Sequence, residues 1–297
     1  MKKNRLGQSD LLVSEIGFGC MSLPLEQTQS TKLLHRALEL GINFFDTADL
    51  YQAGQNETMV GNSFKGMRGK IILASKVGNR LNDDGKTWRW DASPEWIKEA
   101  VHHSLKRLQT SYLDLYQLHG GTLEDPIDDV IETFEDLKKQ GLIRYYGISS
   151  IRPNVIREWV KRSNLASVMM QYSLLDRRPE EEALGLLHKN NISVIARGPV
   201  AKGLLSSKPA ATFQDYNQEE VASVQQGLES LVTPKRSKGQ VAIRFSLSHP
   251  AVATTIPGAS RLEQLEENTG SSNVTLTENE LEQLRKLSKA NKYELHR

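Results

Sequence analysis

A single cysteine, Cys20, stands in 297 residues, so the chain closes no disulfide within itself and offers no cysteine-based metal site. Long hydrophobic runs are missing as well: none approaches the roughly 20 residues needed to cross a bilayer. The N-terminal MKKNRLGQSD is basic but lacks the apolar segment of a secretory signal. Charge of one sign is not in excess. With 38 basic and 36 acidic residues the formal charge is +2, which argues against a polyanion-binding surface and so against nucleic acid as a partner. Nor does a G-x-G-x-x-G turn follow the first apolar run, where GFGCMS stands at 17–22; that removes the usual mark of an open doubly wound sheet. A soluble cytoplasmic protein with no membrane partner is what these absences leave.

What is present is an alternation. Asn4 to Leu6 and Leu11 to Ser14 flank the turn-forming GQSD and read as a short hairpin. Strand-like runs then occur at 16–19, 42–46, 70–76, 113–118, 143–148, 168–170, 192–196 and 252–256, separated by helical patterns. Helix signals include Gly41 after Thr31 to Leu40, Ser93-Pro94-Glu95 before a helix to Leu108, and Thr277 before Glu278 to Ala290. Short apolar strands without polar alternation indicate a parallel sheet covered on both faces. Eight βα units close most economically into one (β/α)8 TIM barrel over 1–297, with the N-terminal hairpin and extra C-terminal helices. The segment Gly78 to Asp91 reads as a loop whose Trp88 and Trp90 either wall a substrate site or pack within the loop.

Several strands end in residues a core would not choose. The rim reads Asp46, Lys76, His119, Ser149, Gln171, Arg197 and Gly258. One strand-end aspartate is ordinarily a turn or cap residue, and one histidine beside Gly-Gly ordinarily structural. Their joint placement at the C-terminal ends of barrel strands, where such folds build active sites, points instead to proton management. Strand alternation puts Ile72, Ala74 and Lys76 on one face, and likewise Leu115, Gln117 and His119.

The stretches GFGCM (17–21), GINFFDTADLY (41–51), ILASKVG (72–78), LDLYQLHG (113–120), IRYYGISS (143–150) and IPGASRLEQLEEN (256–268) together resemble the aldo-keto reductase superfamily over nearly the whole chain. The resemblance implies a catalytic tetrad of Asp46, Tyr51, Lys76 and His119, acting on a small-molecule carbonyl substrate with NADPH and without a metal. On that basis Tyr51 donates the proton, Lys76 lowers its pKa and makes it a better donor, Asp46 balances the Lys76 charge, and His119 orients the carbonyl.

The resemblance also implies the cofactor contacts. Cys20, Met21 and Asp46 would border the cofactor, and Ser149 and Gln171 would hold the nicotinamide carboxamide. Ser150 replaces the asparagine of most relatives. Arg197 replaces an aromatic ring that stacks on the nicotinamide, and its charge would weaken binding of the oxidised cofactor. Gly198, Pro199, Val200, Lys202 and Lys208 fall in the segment over the pyrophosphate, with ordinary surface charge the alternative for both lysines. Gly258, Ser260, Arg261, Gln264, Glu267 and Asn268 match the adenosine-phosphate end in the GxSxxEQLxEN form of the potassium-channel β-subunit branch, which favours NADPH. That likeness raises a second reading, a nicotinamide-binding regulatory or redox-sensing subunit with little turnover. Such a subunit would need a partner surface, and neither an extra domain nor an N-terminal inactivating tail is expected from these residues. A monomer or weak oligomer is expected.

Overall fold

In a computed structural model of the chain, residues 1–82 and 84–297 are described; the 78–91 segment therefore contains one position, 83, outside the described residues. The expected hairpin forms from β1 (Lys3–Arg5) and β2 (Leu12–Ser14), paired antiparallel. The barrel strands are β3 (Phe18–Gly19), β4 (Phe44–Asp46), β5 (Ile72–Val77), β8 (Leu113–Leu118), β9 (Ile143–Ser149), β10 (Ser167–Gln171), β11 (Ser193–Arg197) and β12 (Val252–Ile256). Successive strands pair in parallel from β3 round to β12. The seam between β12 and the start of β3 is closed by a parallel bridge of Ile16 with Thr255, Gly17 N–H donating to Thr255 O at 2.8 Å. The (β/α)8 barrel expected from the alternation is the fold observed.

Between these strands run α1 (Gln27–Glu39), α2 (Gln55–Ser63), α3 (Pro94–Leu108), α4 (Ile127–Lys139), α5 (Pro153–Arg162), α6 (Ala183–Lys189), α7 (Gln218–Glu229) and α8 (Lys238–Ser246); α9 (Leu262–Gly270) and α10 (Glu278–Leu287) follow the last strand. Capping residues start α3, α7, α8 and α10: Ser93, Asn217, Ser237 and Thr277 each accept a first-turn backbone N–H. Among the described residues no helix is long and apolar enough to cross a membrane.

Two apolar clusters fill the molecule. The larger lies between barrel and helices and includes Phe45, Leu73, Tyr116, Phe134 and Trp159. The smaller fills the barrel interior with Phe44, Ala74, Leu115, Met169 and Ile195, together with Leu6, Leu11 and Val13 from the hairpin. Neighbouring residues on one strand, such as Phe44 and Phe45, thus enter different clusters, as strand alternation requires. The hairpin contributes directly to the barrel core.

The 78–91 segment differs from the loop expected. It forms a second hairpin, β6 (Asn79–Leu81) with β7 (Trp88–Trp90). Gly78 has φ +124, and a Cβ there would lie 2.7 Å from the Trp90 ring, so only glycine admits the indole at this point. Trp90 Nε1 donates to Asp125 Oδ1 at 2.8 Å. Neither tryptophan walls the cavity described below; Trp90 fixes the hairpin beside the His119-Gly120 turn instead.

Candidate active site

In β4 and β5 the interior stripe is apolar until its last position: Phe44 precedes Asp46, and Ile72 and Ala74 precede Lys76. Register places Asp46 beside Gly19, Lys76 beside Gln117, Ser149 beside Met169 and Gln171 beside Arg197. Apolar residues beneath and polar ones at the C-terminal ends give a closed core under a reactive mouth. A cavity of about 860 Å³ opens there.

At its floor Lys76 is fully buried. Its Nζ donates to Asp46 Oδ2 at 2.6 Å, to Thr47 O at 2.6 Å and to Tyr51 Oη at 3.4 Å. Gln117 Nε2 donates to the other Asp46 oxygen at 3.3 Å. Two residues outside the expected tetrad therefore support it. Gln117 had a readable signal, an amide on the interior face of an apolar strand; the Thr47 carbonyl had none. The Tyr51 and His119 rings meet edge to face, centroids 6.1 Å apart.

The loop that brings Tyr51 here is tightly held. Thr47 Oγ1 donates to Asn56 Oδ1 at 2.7 Å, and Asn56 Nδ2 to Cys20 O at 2.8 Å. Immediately after Tyr51, Gln52 and Ala53 take φ values of 50° and 53°. Such left-handed geometry costs non-glycine residues about 1–2 kcal/mol each, and it persists here where surrounding hydrogen bonds fix the loop.

Burial governs the titration of the site. It raises the Tyr51 phenol above its usual value; Lys76 pulls the other way but does not prevail. Lys76 does favour the phenolate, as expected, through its charge and its hydrogen bond, but losing water penalises the phenolate more than the cation compensates, so Tyr51 rests as the neutral phenol. Burial also works against the Lys76 ammonium, but Asp46 and Tyr51 outweigh it and the pKa is raised. Burial pushes Asp46 up while Lys76 opposes it; with a 2.6 Å contact the pair stays ionised. Burial, then the Lys76 and Arg197 charges, lower His119 to about 3, so its imidazole is neutral. His119 Nδ1 is buried without a hydrogen-bond partner, and its carbonyl accepts from Asn79 Nδ2 at 3.3 Å.

Every residue expected at the site lines the cavity except Cys20 and Arg261. The Cys20 side chain belongs to the core between barrel and helices, leaving only its backbone near the mouth. Arg261 is exposed at the start of α9. Ser150 Oγ is engaged, accepting the Arg152 backbone N–H at 3.2 Å. Arg197 Nη1 donates to Gln171 Oε1 at 3.0 Å, coupling two expected nicotinamide contacts. Gly203, Ser206 and Ser207, within the 198–208 segment expected over the pyrophosphate but not singled out there, line the cavity as well.

The donor set fits a dinucleotide. Lys202, Lys208, Ser206 and Ser207, from one segment of the chain, all line the cavity, a composition suited to phosphate oxygens. At the far end Ser260 N–H and Oγ–H both donate to Gln264 Oε1, at 3.0 and 3.1 Å, and Asn268 Nδ2 donates to Gly258 O at 3.1 Å. A Cβ at Gly258 would stand 2.1 Å from Ser22 Oγ, so glycine keeps this edge of the cavity clear.

The family model described as "Aldo/keto reductase family" matches residues 15–289. The chain is 52% identical to the "Uncharacterized oxidoreductase YqkF" of Bacillus subtilis (strain 168), with the whole of both chains covered. It is 30% identical to the "Aldo-keto reductase yakc [NADP(+)]" of Schizosaccharomyces pombe, over 92% of this chain and 88% of that one. The holo form of aldo-keto reductase AKR11C1 from Bacillus halodurans superposes with a TM-score of 0.94 at 52% identity, covering 100% of this chain and 99% of that one.

Proposed function

Since the chain belongs to the aldo/keto reductase family and is an NADP-dependent oxidoreductase of that family, we propose that it reduces aldehydes or ketones to alcohols with Tyr51 as the proton donor. The observation that carries this reading is the Lys76 ammonium, buried and held between Asp46, the Thr47 carbonyl and Tyr51 Oη. An ion pair so buried is weak evidence for stability alone. Its contact with a phenol in a solvent-facing cavity supports a chemical role.

When bound, NADPH supplies a hydride to the carbonyl carbon. The chain's residues handle the oxygen, where negative charge then develops. Neutral His119 has one ring N–H to give a hydrogen bond to that oxygen, and with Tyr51 it fixes the carbonyl's orientation. Tyr51 Oη gives up its proton to the oxygen. The phenolate left behind is stabilised by Lys76, whose charge matters most at that moment, while Asp46, steadied by Gln117, keeps Lys76 protonated. Ser149, Gln171 and Arg197 would hold the nicotinamide end, and Lys202 and Lys208 the phosphates. Ser260 at the cavity's end, with exposed Arg261 beside it, supports NADPH over NADH.

NADPH absorbance followed across a panel of aldehydes and ketones tests the assignment. Oxidation of NADPH dependent on the carbonyl compound is expected, faster than with NADH. Negligible turnover on every carbonyl, with a stoichiometric protein partner recovered, would replace this reading with the regulatory one.

A further inference from the structure

Arg152, between β9 and α5, has no part in the chemistry above, yet it lines the same cavity as Tyr51 and His119. It is half-buried, and its Nη1 donates to Gly121 O at 2.8 Å. Gly121 follows His119 by two residues, at most about 7 Å along the chain. The guanidinium therefore stands near the His119 turn, at the carbonyl end of the cavity.

Among the described residues no carboxylate reaches the Arg152 guanidinium closely enough to pair with it. Asp46, in the cavity floor, is committed to Lys76. Asp125, near the same turn, accepts Trp90 Nε1 and the Thr122 N–H. Hydrogen bonds from its own backbone and from Thr122, and to a lesser extent the Arg152 charge, lower the exposed Glu124 carboxyl, but among the described residues Arg152 forms no ion pair. A guanidinium has five N–H donors in a planar fork that matches a carboxylate, and the Gly121 carbonyl takes one. Apolar residues share this rim: Leu50 and Ile151 line the cavity with Met21, which is 65% exposed. A rim that combines Met21, Leu50 and Ile151 with a guanidinium in no ion pair is complementary to a molecule with an apolar body and an anionic end.

We propose that Arg152 is a specificity-determining residue that binds the carboxylate of an aldehyde acid, holding its apolar body across Met21, Leu50 and Ile151 with the carbonyl at Tyr51 and His119. This assignment rests on the reductase reading and adds a substrate class to it. The reduction is unchanged: a hydride from NADPH and the Tyr51 proton convert the aldehyde to the alcohol, while the distal carboxylate is not altered.

The test compares 4-carboxybenzaldehyde with its neutral methyl ester, methyl 4-formylbenzoate, in the full-length protein with NADPH. Wild type is expected to favour the acid in kcat/KM. In Arg152→Gln, which keeps an amide donor for Gly121 O, that preference falls by about tenfold or more, through KM rather than kcat, and Arg152→Lys restores part of it. A wild-type preference near one, or equal losses on acid and ester, would overturn the proposal. Calorimetric binding of terephthalate to the NADPH complex gives a readout independent of turnover: wild type binds and Arg152→Gln does not. If wild type reduces neither aldehyde but binds terephthalate through Arg152, the reductase reading fails and the anion site stands. If Arg152→Gln does not fold, wild-type terephthalate binding that weakens with salt supports the site, and binding indifferent to salt overturns it.

Discussion

Replacing Lys76 with methionine removes the ammonium while keeping a side chain of similar length. Both members of the pair are buried, with side-chain exposures of 0% for Lys76 and 2% for Asp46, so Asp46 is left as an uncompensated buried acid. Breaking such a pair costs about 3–5 kcal/mol. With an unfolding entropy of about 2.1 cal/mol/K per residue over 297 residues, this lowers Tm by roughly 5–8 °C in calorimetry at neutral pH. Lys76's folded pKa lies above the ordinary 10.5. Its stabilisation is therefore fully present below about 10.5 and is lost as pH rises through the higher folded value, so wild type and variant converge only in strong alkali. The double variant Asp46→Asn/Lys76→Met removes both charges and should recover most of the lost Tm, because no unpaired charge remains. Carbonyl reduction should stay lost in both, since nothing then stabilises the Tyr51 phenolate. A Lys76→Met protein that melts like wild type would refute the reasoning, as would a double variant that regains turnover.

Asp49 lies between Asp46 and Tyr51, and neither of its buried carboxyl oxygens finds a hydrogen-bond partner. Burial, and next the Glu57 charge, raise it to about 8, so it costs stability progressively as pH climbs from about 4 to about 8; Asp49→Asn should raise Tm more at pH about 8 than at pH about 5, and an equal gain at both would contradict this. His119, lowered to about 3, should show no imidazole titration by NMR near the ordinary 6.5, and a midpoint there would show that its environment is misread. Because the folded His119 pKa is depressed, stability tied to it should decline as pH falls from about 6.5 towards 3. If Arg197 holds the nicotinamide end as proposed, NADP+ should bind more weakly than NADPH, with Arg197→Phe narrowing the difference in fluorescence titrations; equal affinities in wild type would end that idea.

The fold could be read from the sequence because parallel barrel strands are buried on both faces and stand out as short apolar runs. Asp46, Lys76 and His119 could be read because each breaks such a run at the same end. Helix α1 was less readable. It begins at Gln27, four residues before the expected Thr31, since Glu26 accepts Thr28 N–H and Gln29 N–H, a glutamate cap that apolar periodicity does not reveal. The β6–β7 hairpin was hidden because its strands have three residues each and face partly into solvent. For Trp90 the sequence left a substrate wall and loop packing both open; packing is what is found, because its environment is set by Gly78 and by Asp125, the latter 35 residues away in the chain. The direction of the Tyr51 shift was also out of reach: the sequence supplies a lysine, but the balance between its field and lost hydration depends on burial.

The central claim is that Tyr51 supplies the proton to the carbonyl oxygen. Its most direct test is the turnover number of Tyr51→Phe with NADPH and an aldehyde that wild type reduces, the folded state and NADPH affinity being checked alongside. The phenylalanine keeps the ring beside His119 and removes only the hydroxyl that faces Lys76. A fall in kcat of about a hundred- to ten-thousand-fold is expected for a lost general acid, with NADPH binding close to wild type. Reduction as fast as wild type would contradict the account.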